Sequence, residues 1–235
     1  MKAWWCQTSA RPTLGEMSGF EDASVWTVVV AAGSGTRFGA RKQFLDLGGV
    51  RVIDRTVAVA AGQSDGVVVV LPADAVDVPV VPAGTKFVTV AGGESRSESV
   101  RNGLAVVPAD CGVVLVHDGA RPMASVAVYE RVIAAVRNGA VGVVPAVPVV
   151  DSIRHAQAGA VDRSPLFAVQ TPQGFDAQTL RAAHASGEDA SDDATLVEAA
   201  GHVVVIVEGD PRNVKLTTPF DLEVARLALA EEAPS

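Results

Sequence analysis

The residues best suited to chemistry sit in one loop, Ala31-Ala32-Gly33-Ser34-Gly35-Thr36-Arg37-Phe38-Gly39-Ala40-Arg41-Lys42-Gln43-Phe44, which follows a short β-branched run. Gly33, Gly35 and Gly39 let the backbone come close to a ligand and turn its N–H groups toward phosphate oxygens, and Arg37 and Lys42 set two cations beside them. Such a loop suits a polyphosphate. The dinucleotide fingerprint wants a third glycine where this chain has Phe38, which disfavours an NAD-binding dehydrogenase; the phosphate loop of NTPases wants Gly-Lys-Ser/Thr, which is absent. A glycine-rich turn with solvated charges accounts for an isolated loop equally well. Composition adds a hint: only four of the 19 Lys+Arg residues are lysines, so Lys42 here and Lys215 in a second loop point to compact point charges in a chain that otherwise uses arginine.

Four more places invite two readings. Ser95 with Glu98 has the capping-box form, but that does not explain the paired Gly92-Gly93 before it. Asp118 ends a strand-like run, where a carboxylate either caps the next turn or, beside a triphosphate, helps hold magnesium, which takes one or two protein carboxylates and completes its shell with phosphate oxygens and water. His117 next to it reads as structural. Ser191-Asp192-Asp193 has the form of a helix start with Ser191 as N-cap and two acids in the first turn, and Thr218-Pro219 before Asp221 that of a cap with proline at the first helical position.

These residues need a frame. Val25 to Ala32 is an apolar run bounded by Gly33, as expected of a strand buried on both faces of a parallel sheet. Similar runs recur at 67–71, 87–90, 113–117, 141–144 and 203–207, and between them 52–61, 95–106, 124–137, 177–185, 192–200 and 219–231 read as helices. The alternation predicts an α/β sandwich with a mostly parallel sheet, whose ligands lie at the carboxyl ends of the strands. One segment breaks it: Asp151 to His155 and Ala160 to Arg163 flank Ala156-Gln157-Ala158-Gly159 and read as a β-hairpin protruding from the core, an arm of about residues 149–170. Residues 1–24 have no sustained periodicity and read as a loose extension ahead of one domain, 25–235.

Composition sets the outer limits. The 235 residues are 49% hydrophobic, too apolar for a disordered chain and enough to bury a core without staples. The net charge of −8, with no block of like charge, argues against a general grip on nucleic acid or anionic lipid, so any basic site is local. Cys6 and Cys111 form neither a disulfide framework nor a zinc spacing. No apolar run approaches the roughly 20 residues of a membrane helix, and the N-terminus has no signal-peptide core, so a cytoplasmic protein is expected.

Ala-Ala-Gly-Ser-Gly-Thr-Arg-Phe-Gly followed by Arg-Lys-Gln-Phe resembles the signature of nucleotide-sugar-type nucleotidyltransferases and, more narrowly, of the 2-C-methyl-D-erythritol 4-phosphate cytidylyltransferase family. Further blocks agree: Gly92-Gly93-Glu94-Ser95-Arg96-Ser97-Glu98-Ser99-Val100, His117-Asp118-Gly119-Ala120-Arg121-Pro122, Asp162-Arg163 through Gln170-Thr171-Pro172-Gln173, and Ser191-Asp192-Asp193-Ala194 through Asn213-Val214-Lys215-Leu216-Thr217-Thr218-Pro219. They run in the family's order from residue 25 to 231. The resemblance implies a Rossmann-like nucleotidyltransferase sandwich. It implies that Ala31, Ala32, Gly33, Gly35, Gly93, Ser99 and Gly119 bind CTP, with Gly93 and Ser99 against the cytosine. Arg37, Lys42 and Lys215 would be catalytic, and Asp118 would hold Mg2+ or another divalent cation. Arg121, Ser152, Arg163, Ser191 and Lys215 would bind the acceptor, 2-C-methyl-D-erythritol 4-phosphate. The products would be 4-diphosphocytidyl-2-C-methyl-D-erythritol and pyrophosphate, in non-mevalonate isoprenoid synthesis. The family's arm implies a homodimer with shared active sites. The chain is shorter than relatives fused to a cyclodiphosphate synthase, so a single activity is expected. Ser152 and Ser191 stand where threonine is common, which keeps the hydroxyl, and the first 24 residues have no counterpart. Two rivals remain open: a cytidylyltransferase for another polyol phosphate such as ribitol 5-phosphate, and a silent CTP-binding module.

Overall fold

The computed structural model describes residues 22–33, 41–77 and 86–232. Its centre is an eight-stranded sheet. Strand β1 (Val25–Val30) is followed by two short strands, β2 (Asp46–Leu47) and β3 (Val50–Arg51), that pair antiparallel with each other. Next come helix α1 (Val52–Gly62), β4 (Gly66–Leu71), β5 (Lys86–Ala91), α2 (Arg96–Leu104), β6 (Val113–Asp118), α3 (Val126–Arg137) and β7 (Gly142–Pro148). β1 lies between β4 and β6, parallel to both, and β5 extends the sheet beyond β4.

Both faces of β1, β4 and β6 are covered, which is why they read as near-continuous apolar, valine-rich runs rather than alternating ones, whereas β5 at the sheet edge is only half-buried. On β1, Val25 and Val29 face a core shared with Val57 of α1 and Val132 of α3, whereas Trp26 and Val28 face the other, with Val100 and Leu104 of α2. Thr27, fully buried, keeps its hydroxyl satisfied on Ser64 at 2.6 Å. Residues 1–21, most of the expected extension, lie outside the described residues. Ser24, just ahead of β1, is already tied to the sheet, its carbonyl accepting from Val113 N–H at 3.0 Å.

The second half departs from simple alternation. The segment expected to be a hairpin is one: β8 (Ile153–His155) pairs antiparallel with β9 (Gly159–Val161), and Gly159 takes φ +85° at the turn. Two strands follow that periodicity did not suggest, β10 (Phe167–Val169) and β11 (Gln173–Asp176). Both run antiparallel to β7, and β11 is wedged between β6 and β7. Helices α4 (Ala177–His184) and α5 (Asp193–Ala199) then pack on the α2 side, β12 (Val204–Glu208) pairs parallel to β7, and α6 (Pro219–Glu232) ends the chain's described part. A third, small core of Leu47, Val52, Leu216, Leu222 and Ala225 joins the β2–β3 turn to α6.

Two caps behave as the sequence suggested. Ser95 Oγ accepts from Glu98 N–H at 3.1 Å; Thr218 Oγ1 accepts from Asp221 N–H at 3.4 Å, and the Asp221 carboxylate accepts in return from the Thr217 and Thr218 N–H groups at 2.7 Å. At α5 the expectation is corrected: the N-cap is Asp192, not Ser191, because its carboxylate reaches the Thr195 N–H (3.0 Å) and hydroxyl (2.7 Å) and is braced by Gln173 Nε2 at 3.0 Å. A charged acceptor also suits the positive end of the helix. Among the described residues no helix is long and apolar enough to cross a membrane.

Candidate active site

At the carboxyl ends of β1, β5 and β6 lies a cleft of about 550 Å³. Its floor is glycine-dependent. A Cβ on Gly119 would stand 2.8 Å from the Ala31 Cβ and 3.2 Å from the Val30 carbonyl, and one on Gly92 would run into the Ala32 methyl. Without side chains at these positions the three strand ends close together and leave backbone facing the ligand space. Gln43, buried beneath, donates to the Ala31 carbonyl (2.9 Å) and the Gly33 carbonyl (3.3 Å), fixing the backbone at 31–33. Gly93 N–H donates to Ser99 Oγ at 3.1 Å, and that hydroxyl donates onward to the Ser95 carbonyl at 2.9 Å.

Charge gathers on the opposite wall. Lys42 Nζ donates to the Leu216 carbonyl at 2.5 Å, bridging 174 residues of sequence. Lys215 Nζ lies 2.8 Å from Asp118 Oδ2. Asp118 is also flanked by Arg121 Nε at 3.7 Å and Arg96 Nε at 3.8 Å. Burial alone would push the Asp118 carboxyl up, but Lys215, Arg96 and Arg121 outweigh it and hold it at about 2, so it is ionised throughout the physiological range. Behind it, Asp118 N–H and His117 Nδ1 both meet Thr171 Oγ1, at 3.0 and 2.8 Å. His117 is fully buried, and desolvation lowers its pKa to about 4, so it stays neutral.

The expected site residues are partly united. Ala31, Ala32, Gly33, Lys42, Gly93, Ser99, Asp118, Gly119 and Lys215 line the cleft. Gly35 and Arg37 fall in 34–40, outside the described residues. Arg121 stands behind Asp118 rather than in the lining and gives Nη1 to the Asn213 carbonyl at 2.7 Å. Ser191 is exposed ahead of α5 and also lies outside the lining. Ser152 and Arg163 are exposed on the arm and do not line this chain's own cleft.

Sequence reasoning missed Arg96. It lines the cleft and bridges Asp118 to the fully buried Asp193, with Nη2 2.8 Å from Asp193 Oδ2; His184 Nε2 takes the other carboxylate oxygen at 2.9 Å. A basic residue in the first turn of a helix opposes the dipole, and that was the available clue that Arg96 has an acidic partner.

Among the described residues no three His, Cys, Asp or Glu side chains converge as a metal cage. The donor set nevertheless fits a divalent cation brought with a polyphosphate. Asp118 is an ionised carboxylate in the lining, and its Oδ1 stands 3.8 Å from Arg96, looser than the 2.8 Å pair on Oδ2.

The model of the family described as "2-C-methyl-D-erythritol 4-phosphate cytidylyltransferase" matches residues 25–231. This chain belongs to that family. A cytidylyltransferase of that name from Nocardia farcinica is 44% identical over 90% of this chain and 96% of its own length, and one from Streptomyces coelicolor is 42% identical over 91% and 87%. A bifunctional IspD/IspF enzyme from Solidesulfovibrio magneticus is 40% identical over 90% of this chain, which spans 58% of it. Among solved structures, the cytidylyltransferase of Thermus thermophilus superposes with a TM-score of 0.73 at 37% identity, covering 89% of this chain and 98% of its own. The protein is therefore a nucleotidyltransferase with the family's Rossmann-like fold, and the cleft is lined from the segments 31–33, 42–43, 93–99, 118–120 and 215–217 of the cytidylyltransferase sequence blocks.

Proposed function

We propose that this cleft is where the enzyme transfers CMP from CTP to 2-C-methyl-D-erythritol 4-phosphate, with Lys42, Lys215 and Arg37 as its charge clamp. The reaction, which yields 4-diphosphocytidyl-2-C-methyl-D-erythritol and pyrophosphate in non-mevalonate isoprenoid synthesis, follows from family membership. The carrying observation is the pairing of Lys215 with Asp118 at 2.8 Å, with Lys42 held in the same wall through Leu216.

Two polyanions must meet here, so the protein's main task is neutralisation and alignment. The acceptor's phosphate monoester has a second pKa near 6 and is already an anionic nucleophile at neutral pH, so no general base is needed. Among the described residues that line the cleft there is no histidine or cysteine. The Gly33 and Gly93 backbone lies open to the nucleotide, and Ser99 fixes Gly93 for the base. Lys42 and Lys215 stabilise the charge that develops as the α-phosphorus is attacked and pyrophosphate leaves. Magnesium, held by Asp118, would supply further neutralisation of the phosphates. Arg121 steadies Asp118 and the loop carrying Lys215.

The acceptor side is completed by a second copy of the chain. Ser152 and Arg163, expected to bind acceptor, sit on an exposed hairpin away from the cleft, beside exposed Val150, Ile153 and Val161. A homodimer that lays each arm over its partner's site reconciles role and position. Buried, unpaired Cys111 suits a reducing cytoplasm.

The test is pyrophosphate release with each of four NTPs against methylerythritol phosphate and ribitol 5-phosphate. Turnover with CTP and methylerythritol phosphate is expected. Preference for ribitol 5-phosphate would overturn the acceptor, and binding of CTP without release would mark a silent module.

A further inference from the structure

The block Gln170-Thr171-Pro172-Gln173 has no role in the reaction as described above, yet it is buried at the centre of the site's support. Thr171 meets Asp118 and His117, and Gln173 braces Asp192. Gln170, 6% exposed, does something more specific. Its side-chain amide pairs with the backbone of Asp210 as one peptide group pairs with another: Nε2 donates to the Asp210 carbonyl at 2.8 Å and Oε1 accepts from the Asp210 N–H at 3.0 Å. The fit is tight, since a Cβ on Gly209 would stand 2.6 Å from Gln170 Oε1. The next turn is fastened to the same place, with Asn213 Nδ2 donating to the Thr171 carbonyl at 2.9 Å and the Asn213 carbonyl accepting from Arg121.

The segment so fastened is the connection from β12 to α6, which contains neither helix nor strand and carries Lys215. Its far anchor is Leu216, whose N–H donates to the Ala120 carbonyl at 2.8 Å and whose side chain is fully buried. Lys215 hangs between the two anchors. With no ladder to place it, its reach to Asp118 depends on them.

We propose that Gln170 is a positioning residue for Lys215: its paired hydrogen bonds to Asp210 hold the loop so that the lysine meets the phosphates without reorganising during the reaction. Gln170 does not line the cleft, so it acts through the loop. This inference rests on the reading of Lys215 as part of the clamp. Without this pairing the loop is free to carry Lys215 away from the phosphates, and a loss of roughly tenfold in kcat, about 1.4 kcal/mol of transition-state stabilisation, is expected.

The test is a double-mutant cycle on the full-length protein, with pyrophosphate release from CTP and methylerythritol phosphate read under single-turnover conditions. Gln170→Met keeps length and apolar volume and removes the paired bonds to Asp210 together with the longer contacts of the same amide to the Asn213 carbonyl (3.4 Å) and Nδ2 (3.5 Å); Gln170→Asn keeps the amide and shortens it. Each is assayed alone and with Lys215→Ala, below the unfolding temperature of every variant. Gln170→Met is expected to cost about tenfold in the native background and less than about twofold once Lys215 is gone, because coupled residues are not additive. An equal cost in both backgrounds, with Lys215→Ala itself impaired, would show that Gln170 acts independently and overturn the inference alone. Native turnover in Lys215→Ala would overturn the reading of Lys215 and this inference with it. If neither Gln170 variant folds, Gln170 is a residue of the fold and the inference is likewise overturned.

Discussion

A carboxylate between three cations and a histidine buried behind it set the chemistry of this site residue by residue. Lys42→Ala is expected to cut turnover about 10²- to 10³-fold, as losses of preorganised electrostatic stabilisation do, with little change in unfolding temperature. Steady-state pyrophosphate release and a thermal melt check both halves; near-native turnover would make Lys42 a spectator. His117 gives a pH prediction. Its pKa is lowered from 6.5 in the unfolded chain to about 4, so between these values the unfolded state binds more protons. Its contribution is therefore complete above about pH 6.5 and is lost as pH falls through 4, on the order of 3 kcal/mol in all. Asp118, lowered from 3.8 to about 2, extends the same trend below pH 4. Denaturant titrations from pH 7 to 4 should show stability falling, and His117→Gln should flatten the slope in that window.

The elements determine how closely the residues approach. Three strand ends meet at Gly92 and Gly119 because neither carries a Cβ. Gly92→Ala would push its methyl into that of Ala32, with Ser99 Oγ at 3.0 Å on the other side. Both neighbours are held by backbone, so β1 or the turn after β5 must shift. We expect a destabilisation of about 1 to 3 kcal/mol, typical of overpacking, and a rise in KM for CTP as Gly93 and Ser99 move. An isothermal titration with CTP, paired with a melt, checks this; unchanged affinity would show that the cleft floor has slack. The same scale explains why β10 and β11 were not legible in the sequence. Phe167 to Val169 and Gln173 to Asp176 are too short for periodicity to register, and their strand character comes from β7 and β6, already in place beside them.

For the whole molecule, the arm decides the count of chains needed for one site. If Arg163 serves the partner's cleft, a chain bearing Arg163→Ala and a chain bearing Lys42→Ala form heterodimers with one intact site and one doubly altered site. Random reassortment makes half the dimers mixed, so about one quarter of all sites recover. Equal amounts of the two inactive variants, refolded together, should release pyrophosphate at up to about a quarter of the native rate. Activity no higher than either variant alone, with exchange confirmed, would place each site within one chain.

The sequence by itself determined the α/β alternation, the hairpin, the caps at Ser95 and Thr218, the strand end that carries Asp118 and the segments that carry Lys42 and Lys215. These rest on interactions among neighbours in the chain: β-branched runs that suit a doubly covered sheet, glycines at turns, and side chains that cap the next helix. What it left undetermined are meetings across distance. Asp118 draws its cations from α2, from its own turn and from the loop before α6, so its ionisation at about 2 exists only once those segments pack. Asp192 displaced Ser191 as the cap of α5 because Gln173 arrives from β11 to brace it. The pairing of Gln170 with Asp210 joins residues 40 apart through a side chain that imitates a backbone. No local pattern announces such a contact, because its energy is gained only after the sheet has brought both partners to one edge.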